Sequence, residues 1–134
     1  MLCCHILACA ALAEFPYLLY QIKGDADLDK APERISIYSQ NPDPAVKCAK
    51  ILRIEHLKNN KYLKVFEISF TAAFKTQFNY LIDKYKEGYK TGVYLHKTAQ
   101  KIYPEIWIVL TPNSSDMLVF QYDGKSYKRI MVKD

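Results

Sequence analysis

Thr71-Ala-Ala-Phe-Lys-Thr-Gln-Phe-Asn-Tyr-Leu-Ile-Asp-Lys-Tyr-Lys-Glu-Gly88 is the stretch on which the fold class turns. Phe74, Phe78, Leu81, Ile82 and Tyr85 recur at i, i+4, i+7, i+8 and i+11, the apolar stripe of an amphipathic helix. Thr71 suits an N-cap and Gly88 a stop, and Lys84 and Lys86 complement the negative end of a helix dipole. This reading places one main helix over about residues 72–87, with its stripe in the core.

The flanks read as strands. Upstream, Arg34 to Tyr38 alternates with Ile35 and Ile37 on one face. Ile51 to Leu57 and Tyr62 to Phe70 are joined by Lys58-Asn59-Asn60-Lys61, a hairpin turn because Asn tolerates left-handed dihedrals. Phe66, Ile68 and Phe70 form one buried face. Downstream come Val93 to His96, Glu105 to Thr111, Met117 to Tyr122 and Ser126 to Lys133. The run Ile106-Trp107-Ile108-Val109-Leu110 is apolar throughout, as a central strand covered on both faces would be, with Trp107 and Ile108 in the core. Asp123-Gly124 marks a hairpin. The expected fold is therefore α+β: one antiparallel sheet with a C-terminal β-meander, packed against the one main helix.

With 134 residues, half of them hydrophobic and a quarter charged, the chain suits one soluble folded domain rather than a disordered segment. Residues 1–13 carry no Lys, Arg, Asp or Glu and end in Ala11-Leu12-Ala13. They read as a secretory signal, although no basic residue precedes the apolar run, or else as a buried N-terminal helix. In the second case Pro16 opens another helix through Tyr17, Leu18, Leu19 and Ile22. Residues 14–134 are the single domain, with no transmembrane segment. The expected location is secreted or periplasmic, with cytoplasmic as the alternative. Of the four cysteines only Cys48 lies outside the first segment, so no disulfide within residues 14–134 is expected.

Motifs for chemistry are sparse. Asp25-Ala26-Asp27-Leu28-Asp29 begins like a calcium-binding EF-hand loop, but Lys30 stands where that loop needs glycine and Ser36 where it needs a bidentate Glu. It reads as a solvated acidic loop. Cys3, Cys4, His5 and Cys9 lack zinc-ligand spacing. No metal site and no cofactor is expected. His56 and His96 end strands and are candidates for acid–base chemistry with Glu55, Glu67 or Asp83. No nucleophile elbow or phosphate-cradling glycine loop is present.

Charge is uneven: net −3 over residues 14–43 and net +8 over residues 44–134. Tyrosine and lysine interleave in the basic part. Lys61, Tyr62 and Lys64, then Lys86, Tyr89 and Lys90, then Tyr127, Lys128 and Arg129 pair a rigid stacking face with positive charge. The functional expectation is a small non-enzymatic binding module, exported, of an inhibitor- or immunity-like kind. Those nine residues would face an acidic protein or an anionic surface. A cytosolic nucleic-acid-binding domain using the same residues is one alternative. A small enzyme built around His56 or His96 is the other.

Overall fold

The computed structural model describes residues 14–75, 90–97, 102–111 and 116–130. They form eight strands: β1 (Tyr17–Gly24), β2 (Glu33–Ser39), β3 (Cys48–Lys58), β4 (Lys61–Ala72), β5 (Gly92–His96), β6 (Glu105–Val109), β7 (Met117–Tyr122) and β8 (Tyr127–Ile130). Each consecutive set of four is an antiparallel meander, in the orders β1-β2-β3-β4 and β5-β6-β7-β8. The inner faces share one core. Ile35, Ile37, Leu52 and Ile54 come from the first sheet, and Val93, Ile106, Ile108, Phe120 and Tyr127 from the second. Phe66 bridges the layers, its ring 5.9 Å from those of Phe120 and Tyr127.

The fold class is thus corrected from α+β to two antiparallel β-sheets, with no helical element among the described residues. Thr71 does not cap a helix. It pairs with Ala49, and Ala72 with Cys48, so β4 runs through the expected helix start. Beyond it the backbone is tied to two loops: the Phe74 N–H donates to Pro44 O and the Lys75 N–H to Leu110 O, each at 2.8 Å. Phe74 is fully buried, as its apolar period suggests, but as a plug against Tyr20. The rest of the expected helix lies outside the described residues, as does the expected signal segment 1–13. Among the described residues there is no helix long and apolar enough to cross a membrane.

β1 is the strand that the sequence reading leaves out. Its residues Tyr17 to Ile22 were open to a helical reading, yet they pair along β2 from Tyr17↔Ser39 to Gly24↔Glu33. Other local signals hold. Asn59 and Asn60 take φ values of 52° and 63°, the left-handed pair that a tight β3–β4 hairpin requires. Replacing Asn60 with valine is expected to cost about 1–2 kcal/mol, because a branched side chain resists that conformation. Glycine there should be tolerated. Denaturant midpoints followed by Trp107 fluorescence check both.

The register carries polar residues into the ends of the sandwich. On the inner face Ile35 pairs with Ile54 and Ile37 with Leu52; one step outward Glu33 pairs with His56, and at the opposite end Ser39 pairs with Lys50. Lys50 is fully buried and donates to Val46 O (2.9 Å) and Ala72 O (2.5 Å). The Glu33 end is built differently.

Candidate functional site

Strand alternation fixes Glu33 and His56 on the core side of the first sheet, in phase with Ile35 and Ile54. The loop between β1 and β2 then folds back over them. Asp25 holds its turn, accepting the N–H groups of Asp29 (3.1 Å) and Lys30 (2.9 Å). Asp27 Oδ1 accepts the Asp29 N–H (3.3 Å) and Asp29 Oδ1 the Ala31 N–H (2.9 Å). Leu28 and Lys30 sit at φ 58° and 72°, a left-handed conformation that costs leucine or lysine about 1–2 kcal/mol each. The loop keeps this shape because Ala26 is fully buried and its N–H donates to Glu33 Oε2 at 3.1 Å.

The remaining oxygens of Asp27 and Asp29 meet His56. Asp27 Oδ2 lies 3.7 Å and Glu33 Oε1 3.6 Å from His56 Nδ1, while Asp29 Oδ2 lies 3.2 Å from Nε2. Three carboxylates therefore surround one imidazole. Glu33 is 0% exposed, and its Oε1 atom has no hydrogen-bond partner. Burial is the main reason that its carboxyl is pushed up to about 9. The contact with Asp27 adds to the effect, and the Ala26 N–H opposes it.

A cleft of about 360 Å³ opens beside this cluster, lined by Asp27, Asp29, His56, Val65, Tyr122, Lys125, Ser126 and Tyr127. Val65 reaches it through an irregularity in the β3–β4 register. There Glu55 pairs with Lys64 and Ile54 with Phe66, which leaves Val65 without a partner. The β7–β8 turn forms the far wall. Its Asp123 carboxyl accepts the N–H groups of Lys125 (2.8 Å) and Ser126 (2.9 Å), which hold it below the usual carboxylate range. Tyr127 is 6% exposed and its hydroxyl has no partner. Burial, followed by the negative charges of Glu33 and Asp27, pushes that phenol above its ordinary value.

Seven of the nine sequence-selected binding residues lie among the described residues. Lys61 is exposed at the β3–β4 hairpin. Tyr62 is half-buried, with the Arg34 guanidinium 4.1 Å and the Lys23 ammonium 5.6 Å from its ring centre. Lys64 is exposed, 3.8 Å from Glu67. Lys90 is exposed, and its carbonyl accepts the Tyr94 hydroxyl. Tyr127 turns inward, while Lys128 and Arg129 are exposed, with Lys128 3.8 Å from Asp123. Lys86 and Tyr89 lie outside the described residues.

The two histidines differ. His96 stacks on Trp107 with ring centres 3.9 Å apart. His56 gains carboxylate neighbours, but not Glu55 or Glu67, which pair with Arg34 (2.8 Å) and Arg53 (2.6 Å); Asp83 lies outside the described residues. Sequence reasoning missed Glu33. Its signal was phase: a carboxylate in step with Ile35 and Ile37 belongs to the apolar face. No family model, no curated protein and no solved structure matches this chain.

Proposed function

We propose that this chain is a binding module that takes an acidic protein segment at the cleft end of the sandwich. The observation that carries this reading is the cleft itself. Beside Asp27 and Asp29 it has an apolar and aromatic wall (Val65, Tyr122, Tyr127), with the exposed Lys125 on its rim. Exposed Lys58 and Lys61 flank the hairpin that continues from His56, and exposed Lys128 follows Tyr127. Lysines recruit an anionic segment over a Debye length, and the aromatic wall supplies packing once it has arrived.

The test is a titration of the full chain with a fluorescent oligo-glutamate peptide at two salt concentrations. Binding that weakens with salt is expected, and Lys125→Glu should weaken it by roughly tenfold, equivalent to about 1.4 kcal/mol. Lys125 holds the β7–β8 turn only through its backbone N–H, so the variant should fold. The same titration with single-stranded DNA separates the alternatives: tighter binding there, falling log-linearly with salt, would favour a nucleic-acid partner. Binding to neither polyanion would end the anionic-partner reading.

A second reading has its own observation, the contact of His56 with three carboxylates at a cleft. That arrangement suits proton transfer to a bound substrate, and His56→Gln should then abolish turnover while sparing binding.

A further inference from the structure

The geometry points to a divalent transition-metal ion held by Asp27, Glu33 and His56 Nδ1, with Asp29 as the residue that orients the imidazole. This goes beyond the anionic-partner reading and stands without it. The ligand atoms come from three separate elements, the β1–β2 loop, β2 and β3, and Asp27, Asp29, Glu33 and His56 can each offer one atom within 4.8 Å of the others. Nδ1 lies 3.7 Å from Asp27 Oδ2 and 3.6 Å from Glu33 Oε1. Bonds of about 2.0–2.2 Å to a central ion leave neighbouring ligand atoms roughly 3–4 Å apart, so these side chains already stand near the required spacing.

A second observation is independent of the acidic count. Glu33 Oε1 is buried without a hydrogen-bond partner. The other oxygen of that carboxyl is taken by the Ala26 N–H, and Oε1 is directed at the space between Asp27 and His56. An unsatisfied buried polar atom is costly, and in a native protein it needs an explanation. A cation bound there satisfies it by taking the place of the proton that Glu33 otherwise holds. Asp29 completes the arrangement: its Oδ2 lies 3.2 Å from Nε2 and can accept that N–H. A carboxylate on the non-ligating nitrogen fixes tautomer and ring orientation in histidine metal sites.

The donor set selects the class of ion. An imidazole with two carboxylates suits manganese, iron or zinc better than calcium or magnesium, which prefer oxygen throughout, or copper(I), which prefers sulfur. Three protein ligands leave positions toward the cleft, where a water or an acidic group of a bound partner can complete the sphere.

The experiment titrates the full chain with Mn2+ alone, following loss of the free-ion electron paramagnetic resonance signal. Manganese is chosen because the thiols of Cys3, Cys4, Cys9 and Cys48 favour softer ions. One ion per chain is expected. Glu33→Gln and His56→Ala should each weaken uptake by about 100-fold, and Asp29→Asn by roughly 10-fold, as loss of an orienting partner does. Circular dichroism confirms folding, and His56→Ala, at a half-exposed position, serves if Glu33→Gln does not fold. No uptake at millimolar Mn2+, or uptake unchanged in a folded Glu33→Gln or His56→Ala chain, overturns the proposal.

Discussion

Replacing Ile108 with alanine is expected to lower the unfolding free energy by about 2–5 kcal/mol, the range for truncating a buried aliphatic side chain whose cavity collapses only in part. Ile108 is 0% exposed in β6, between Val93 of β5 and Leu118 of β7. It belongs to the core that both sheets share. A side chain flanked on both sides by hydrogen-bonded strands has little freedom to let neighbours close the gap. Trp107, the next residue, points the other way. It is half-buried and stacked on His96, and its indole N–H donates to Glu105 at 3.0 Å. The sequence placed both in the core, but only Ile108 occupies it. The split is useful, because Trp107 is the single tryptophan and should report unfolding without being disturbed. An unchanged denaturant midpoint would mean that β6 is not the centre of the second sheet.

The second large effect is a pH dependence set by Glu33. The folded chain holds a proton on this carboxyl up to about pH 9, while the unfolded chain releases it near the ordinary value of 4.5. A group raised in the folded state stabilises below its unfolded pKa, and that stabilisation is lost as pH rises toward the folded one. Stability should therefore fall between about pH 4.5 and 9, by up to roughly 1.4 kcal/mol per pH unit. Glu33→Gln keeps the shape and has no proton to lose. The difference between the two proteins, measured by denaturation in the presence of a chelator, should change in favour of the glutamine variant as pH rises. Parallel curves would mean that Glu33 is solvated.

Much of the strand content was legible locally. Asn59-Asn60 named its own turn, the alternation of Phe66, Ile68 and Phe70 named β4 although Ile68 is exposed rather than buried, and Met117 to Tyr122 matches β7 at both ends. Elsewhere local pattern was outweighed. The helical period from Phe74 onward drew Thr71 into a cap, but pairing with Ala49 continues β4 past it, and twelve residues of strand outweigh a single capping preference. β1 has no clean period because Tyr17, Leu18 and Leu19 follow one another, and only its pairing with β2 identifies it as a strand.

The site was half visible. Asp25, Asp27 and Asp29 stood out, but they were judged against a template in which one continuous loop supplies every ligand. Here the loop supplies only part of the side-chain cluster, and the rest comes from Glu33 and His56, far apart in the chain and joined by strand register. The Tyr–Lys clusters were easy to see because they are contiguous. Contiguity says little about which face a residue occupies: Tyr62 lies against Arg34, and Tyr127 turns into the core.

Asp27, Asp29 and His56 close over a buried Glu33 at one end of the sandwich. Carbon-13 resonance of the Glu33 side-chain carboxyl, followed through a pH titration of the chelator-treated chain, tests it most directly. A midpoint near 9 is expected. A midpoint in the ordinary carboxylate range, near 4.5, would show that the cluster is not assembled as described.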